Sequence, residues 1–192
     1  MEHSHKRFNP KQVNKLMSTE RHQLLQPEKL IDTLSVKASD VVADLGSGAG
    51  FFTIPLAKQT KNSVYAIDIE PKMMQQLKES ALNQSINNIN ELISNLNVIP
   101  LEDEMIDKVM AAFVLHEVDD LQTTIKEIAR VTKQGGKVMV VEFEAKETES
   151  GPPLEIRIPS STLEKLLQEN HFENIASKSI NESNYIVIAQ RK

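Results

Sequence analysis

The 192-residue sequence contains no cysteine and no tryptophan, and only 4% of its residues are aromatic. Without cysteine there is no disulfide, no thiolate nucleophile and no thiolate-ligated metal. Scarce rings and a net charge of −5 speak against a nucleic-acid surface, which needs clustered Lys and Arg and stacking side chains. No run approaches the roughly 20 apolar residues of a membrane span. The stretch from Met1 to Phe8 is polar and lacks the apolar core of a secretory signal, so a cytoplasmic protein is expected. His3 and His5 have nothing nearby to complete a ligand set, and no metal site is expected.

What is present suits an ordinary globular chain: 40% apolar and 26% charged residues. The expectation is one domain over 1–192, with residues 1–35 as a helical segment above the site and 144–159 as a loop that can serve as a lid. Strand and helix signals alternate through most of the chain. Helices are expected after Asn9-Pro10, from Pro27, over Phe51 to Lys58, from Pro71 and after Asp119 or Asp120. Strands are expected at Val41 to Leu45, Val64 to Ile69, Glu91 to Ile93, Lys108 to Val114 and Lys137 to Phe143. That alternation predicts a doubly wound, mostly parallel α/β sheet with helices on both faces. The pattern then changes. Ser161-Thr162-Leu163-Glu164 reads as a capping box. Ile175 to Ile180 and Tyr185 to Gln190 read as two strands joined by Asn181-Glu182-Ser183-Asn184, an antiparallel hairpin that closes the sheet.

The chemistry concentrates at strand ends, where such sheets bind ligands. Val41 to Leu45 runs into Gly46-Ser47-Gly48-Ala49-Gly50, a turn where backbone can approach a ligand closely. A dinucleotide fingerprint starting at Gly46 would need glycine at 51, and the residue is Phe51. Asp44 sits just before the turn, where it disfavours a pyrophosphate and favours an ammonium or sulfonium. Asp68 lies 20 positions after Gly48, the spacing of a ribose-binding acid. Asn95 and Leu96, past the third strand, are candidates for the amino edge and the face of an adenine. Small Ala111 and Ala112 near the end of the fourth strand leave room for a ligand. His116 and Glu142 close neighbouring strands and are the candidate general bases.

These residues resemble a class I S-adenosylmethionine-dependent methyltransferase. Residues 41–50 are similar to the family's first motif and Val-Tyr-Ala-Ile-Asp-Ile at 64–69 to its second. Ile99-Pro100, Ile106-Asp107-Lys108-Val109 and the helix and turn from Glu127 to Gly136 resemble the segments flanking its fourth and fifth strands. The resemblance implies a seven-stranded Rossmann-like sheet and S-adenosyl-L-methionine as cofactor. It implies that Gly46, Ser47, Gly48 and Gly50 line the methionine end. It implies too that Asp44 orients the turn, that Asp68 holds the ribose, and that Ile69 and Met73 lie against ribose or adenine. Asn95 stands where many members carry an acid. The implied activity is methyl transfer, with a small-molecule acceptor ahead of a protein one. Arg21, His22, Glu155 and Arg157 are candidates to meet the acceptor. The rival reading is a non-catalytic module that binds S-adenosylmethionine or S-adenosylhomocysteine, and an open acceptor pocket would separate the two.

Overall fold

The computed structural model describes residues 16–148 and 151–192, so the helix expected from Asn9-Pro10 and the two histidines of the tail lie outside the described residues. Seven strands form one sheet: β1 (Val42–Leu45), β2 (Val64–Asp68), β3 (Ile89–Ile93), β4 (Ile106–Ala112), β5 (Thr132–Phe143), β6 (Phe172–Ser179) and β7 (Asn184–Arg191). Their order is β3-β2-β1-β4-β5-β7-β6. The first five run parallel, and β7 pairs antiparallel with both β5 and β6. The helices are α1 (Thr19–Leu25), α2 (Pro27–Leu34), α3 (Thr53–Gln59), α4 (Pro71–Asn83), α5 (Leu121–Val131) and α6 (Ser160–Glu169). No helix among the described residues is long and apolar enough to cross a membrane.

The two faces of the sheet follow the period-2 alternation of strand side chains. Ala43, Leu45, Val109 and Val138 pack with Ile125 and Ile128 of α5 and with Leu163 and Leu167 of α6. Val42, Met110 and Met139 pack with Ile31 and Leu34 of α2 and Leu56 of α3. Every residue of β1 is buried, as expected of a parallel strand covered on both sides. The chain leaves β1 toward β2 and β3 on one side, and returns to place β4 on the other. The carboxyl end of β1 is therefore the switch point where a cleft opens.

Local signals explain most element ends. Ser18 accepts from the Arg21 N–H and caps α1, and Asp120 accepts from the Thr123 N–H and caps α5. Two expectations need correction. The helix after the glycine turn begins at Thr53 and not Phe51, because Phe51 and Phe52 complete the turn. The capping box at Ser161 to Glu164 does not form. Helix α6 starts one residue earlier, after Pro159 and without a side-chain cap, and Glu164 accepts from the Ser177 hydroxyl of β6.

Tyr185, 1% exposed, ties β7 to the segment before α6 by donating its hydroxyl to the Ile158 carbonyl at 2.6 Å. Tyr185→Phe strands that carbonyl and should lower the unfolding free energy by about 1–3 kcal/mol. Urea unfolding measures it, and an unchanged midpoint would mean that water serves the carbonyl equally well.

Candidate active site

The cleft beyond the β1 switch point is a cavity of about 870 Å³. One wall is the glycine turn. Gly46 and Gly48 hold φ of +70° and +52°, and a Cβ on Gly46 would lie 2.4 Å from a Val114 methyl. Gly48 faces open space, so here the backbone itself is the wall. The Gly46 and Ser47 N–H groups donate to the Ile67 carbonyl, and the Gly48 N–H donates to Asp68 Oδ2 at 2.8 Å. Asp68 Oδ1 accepts from the Glu70 N–H. The carboxylate at the end of β2 thus fixes the turn after β1. The Ser47 hydroxyl is buried without a partner on this wall, which is what a site shaped for a polar ligand leaves behind.

Asp44 lies beneath the turn, 1% exposed, and accepts from the Thr53 hydroxyl. Burial pushes its carboxyl up to about 7; the Thr53 bond opposes this and the charge of Asp68 adds to it. Burial also raises Asp68, against the N–H groups of Glu70 and Gly48. Two acids side by side in low dielectric make this wall a place for positive charge.

Across the cleft, Ala112 ends β4, Phe113 and His116 follow it, and Phe143 ends β5. His116 Nδ1 lies 2.8 Å from Glu142 Oε2. A carboxylate only accepts, so Nδ1 carries a proton and Nε2, 3.7 Å from Glu117, is the exchanging nitrogen. Glu142 is fully buried and also accepts from the His116 and Phe143 N–H groups. Burial pulls His116 down, but the bond to Glu142 and its charge outweigh that, and the imidazole ends above its ordinary 6.5.

The rim comes from α1 and the loop after β5. The Arg21 guanidinium is 4.5 Å from the centre of the Phe51 ring and 5.3 Å from that of Phe113. It donates to the Leu16 carbonyl, and burial lowers it to about 10. Arg157 staples the loop to itself, reaching the Pro152, Glu144 and Lys146 carbonyls and the Thr148 hydroxyl. Gly151, Pro152 and Pro153 face the cavity.

Asp44, Gly46, Ser47, Gly48, Asp68, Ile69, Met73, Asn95, Leu96 and His116 all line this one cavity, although they come from four connections of the fold. Three expected residues do not line it. Gly50 turns inward, where a Cβ would strike Leu77 at 2.5 Å. Ala111 is fully buried in β4, and its neighbour Ala112 faces the cavity instead. Glu142 lies behind His116. Asn95 spends its amide oxygen on the Asn97 N–H. Of the four residues expected to meet the acceptor, Arg21 lines the cavity; His22 pairs with Glu28 outside it, Glu155 stays exposed, and Arg157 holds the loop. Sequence reasoning missed the rings. Four of the six phenylalanines (Phe51, Phe52, Phe113 and Phe143) stand here. Each follows a turn or ends a strand, and that position was the available signal.

A model of the ubiE/COQ5 methyltransferase family matches residues 5–151. The chain is 28% identical over 137 residues to a ubiquinone/menaquinone biosynthesis C-methyltransferase UbiE of Rickettsia prowazekii (strain Madrid E), covering 68% of this chain and 54% of the relative. It is 31% identical over 132 residues to a demethylmenaquinone methyltransferase of Geobacillus sp. (strain WCH70), covering 68% and 56%. The chain thus spans about half the length of the curated relatives it matches. The crystal structure of a SAM-dependent methyltransferase from Aquifex aeolicus superposes with a TM-score of 0.88 at 27% identity, covering 97% of this chain and all of that one. Haemonchus contortus phosphoethanolamine N-methyltransferase 2, solved with S-adenosyl-L-methionine, shares the fold with a TM-score of 0.77 at 12% identity over 86% of this chain and 52% of that one.

Asp44 sets a stability test. Its folded pKa near 7 exceeds the ordinary 3.8, so between those values the folded state holds a proton that the unfolded chain has released. Its contribution to stability therefore falls as pH rises from about 4 to 7. Asp44→Asn should raise the melting temperature of the ligand-free protein more at pH 8 than at pH 5. Thermal scans at the two values test it, and an equal effect at both would contradict a titrating Asp44.

Proposed function

The chain belongs to the ubiE/COQ5 methyltransferase family, and from that premise we propose that it transfers a methyl group from S-adenosylmethionine to a small hydroxylated ring. The observation that carries this reading is one cavity with two unlike walls. The glycine turn stands over Asp44 and Asp68 on one side, and the His116–Glu142 pair stands among Phe113 and Phe143 on the other. The first wall suits the cofactor: a ribose on Asp68, an amino-acid end along Gly46 to Gly48, and a cationic sulfur near the two acids. The orphaned Ser47 hydroxyl and the open space at Gly48 fit a polar ligand laid on backbone.

Bound there, the cofactor supplies a methyl group whose loss leaves a neutral thioether, so the protein's task is alignment and not stabilisation of a leaving anion. The second wall prepares the acceptor. His116 Nε2 takes the proton of a ring hydroxyl, Glu142 stabilises the imidazolium through Nδ1, and the ring gains electron density at carbon. Arg21, half-buried between Phe51 and Phe113, adds a positive charge that favours the ionised acceptor. One relative is named a C-methyltransferase of ubiquinone and menaquinone biosynthesis and another a demethylmenaquinone methyltransferase, and a reduced, hydroxylated quinone ring is the acceptor class we carry over from those names. We assign the reaction to one domain, with Gly151, Pro152 and Pro153 of the loop after β5 over the acceptor end. A non-catalytic binding module remains the second reading, and the open cavity beside His116 favours the enzyme.

S-adenosylhomocysteine should bind with measurable heat, and Asp68→Ala should weaken it by about 1–3 kcal/mol. A wild type that shows no heat at millimolar ligand sinks the cofactor assignment. Turnover should rise with pH and level off above an apparent pKa higher than 6.5, because His116 must lose its second proton to act as base. Glu142→Gln removes the charge beside Nδ1 that favours the doubly protonated imidazole, so the profile should move to lower pH as kcat falls. A profile that stays in place would separate Glu142 from the titrating group.

A further inference from the structure

Asn184 opens β7 and is the cross-strand partner of Phe143, the last residue of β5. Its main chain is committed: the N–H donates to Asn181 Oδ1 at 2.9 Å and the carbonyl accepts from the Ile180 N–H at 2.9 Å. The Ser183 N–H also donates to Asn181 Oδ1, and the Ser183 carbonyl accepts from the Glu144 N–H. This turn is therefore built by the Asn181 side chain and by backbone, and it makes no use of the Asn184 amide. Yet Asn184 is 4% exposed, its Nδ2 is buried without a hydrogen-bond partner, and the residue lines the same cavity as His116 and Phe143. A buried, unpartnered amide lowers stability and contributes nothing to the hairpin. Asn181 Nδ2 is likewise unpartnered, but Asn181 does not line the cavity and its oxygen already explains its presence.

The surroundings state what the amide can receive. The Phe143 ring lies 4.9 Å from the Phe113 ring and 5.9 Å from the His116 imidazole, centre to centre. On the neighbouring strand, Asn184 stands directly opposite Phe143. A flat ring laid against Phe143 would thus lie within the same cavity as both His116 and Asn184. Gly151 packs directly on the Phe143 ring, where an added Cβ would meet it at 2.9 Å, so the loop after β5 covers that part of the ring and leaves the rest to the cavity. An amide N–H donates to a carbonyl, hydroxyl or oxyanion oxygen and offers nothing to a hydrocarbon edge.

We propose that Asn184 is a specificity residue of the acceptor site, donating from its buried amide to a second ring oxygen while His116 takes the proton of the first. The inference rests on the hydroxylated-ring reading above and adds to it a protein partner for the second of the ring's two oxygens. A site whose buried donor is matched only by an oxygenated ring discriminates against the ring that lacks that oxygen, because the donor is then left unpaired in the complex.

The test uses the full chain, with 1,4-dihydroxynaphthalene and 1-naphthol as acceptors under reducing conditions and with radiolabelled S-adenosylmethionine. The wild type should favour the diol. Asn184→Leu and Asn184→Ala should raise the KM for the diol by ~10-fold or more, leave the KM for 1-naphthol and the affinity for S-adenosylhomocysteine unchanged, and leave kcat within about twofold. The melting temperature of the ligand-free Asn184→Leu variant should hold or rise, since the orphaned donor is gone. A fall in melting temperature with no change in the preference between the two rings assigns Asn184 to the fold and overturns the proposal. So does an equal rise in KM for both rings. If the wild type methylates the diol and the variants match it, this inference fails and the proposed function stands. If the wild type binds S-adenosylhomocysteine but methylates neither ring, the acceptor class fails and takes this inference with it.

Discussion

A carboxylate held inside an apolar strand is the constraint on which the site depends. Asp44 stands between Ala43 and Leu45 in a strand with both faces covered, and only 1% of it is exposed, at the cavity wall. An ionised acid there is tolerable only with partners that favour its charge. The protein supplies one, the Thr53 hydroxyl at the start of α3, and that bond is not enough to keep the carboxyl at its ordinary pKa. Asp68 worsens the position by adding like charge nearby. The ligand-free site is thus electrostatically incomplete, and the deficit has a sign: it is relieved by positive charge above the turn. A pyrophosphate would deepen it. The same reasoning makes Asp44 a residue retained against stability, because nothing in the sheet needs an acid at that place.

The geometry of the turn follows from the same corner. Asp68 spends one oxygen on the Gly48 N–H and the other on the Glu70 N–H, so the end of β2 fixes both the turn after β1 and the start of α4. Two connections that diverge at the switch point are thereby locked to one carboxylate. The opposite wall is organised on the same principle with the charge reversed in role. Glu142, fully buried, accepts from two backbone N–H groups as well as from His116 Nδ1, and so orients the imidazole in front of it. The acid wall is incomplete until a cation arrives, whereas the His116–Glu142 pair is complete in itself and presents only Nε2. The proposed division of labour, donor on one side and acceptor on the other, rests on that difference.

How much of this could be read in the sequence depended on whether the signal was local. The glycine spacing, Asp44 before it and Asp68 at 20 positions after Gly48 are fixed by short-range backbone requirements, and the structure brings them together. The sheet was legible for a similar reason, because alternation of strand and helix and the terminal hairpin are local patterns with few topological solutions. The capping box at Ser161 was local too and still did not form. Glu164 found Ser177 on the adjacent strand, a tertiary partner that a four-residue motif cannot weigh. The exclusion of Gly50 and Ala111 from the cavity turned on which side of a turn or strand faced the cleft, and a one-residue difference decides that. The aromatic wall was invisible to a search for polar groups. Composition had shown rings to be scarce, but only the fold revealed that most phenylalanines were gathered in one place.

That gathering changes how the polar groups of the cleft should be understood. Phe113 holds a left-handed backbone conformation at φ 57°, which a bulky side chain adopts only when its surroundings enforce it. Its N–H donates to the Val141 carbonyl of β5, which pins the strained residue beside Phe143. Strain retained at a strand end, with the ring delivered into the cavity, is a functional arrangement more than a packing one. The rings that line the cleft also exclude water from it, and exclusion of water strengthens each polar contact left inside. In that setting His116, Arg21 and the Asn184 amide act as few, well-separated points on an apolar surface. Chemistry decided by so few points is selective through the spacing of oxygens on a flat ligand, whereas size alone would leave many rings of similar outline undiscriminated. On the proposed reading, the acceptor would be specified less by any single motif than by the placement of three side chains contributed by α1, the segment after β4 and the start of β7.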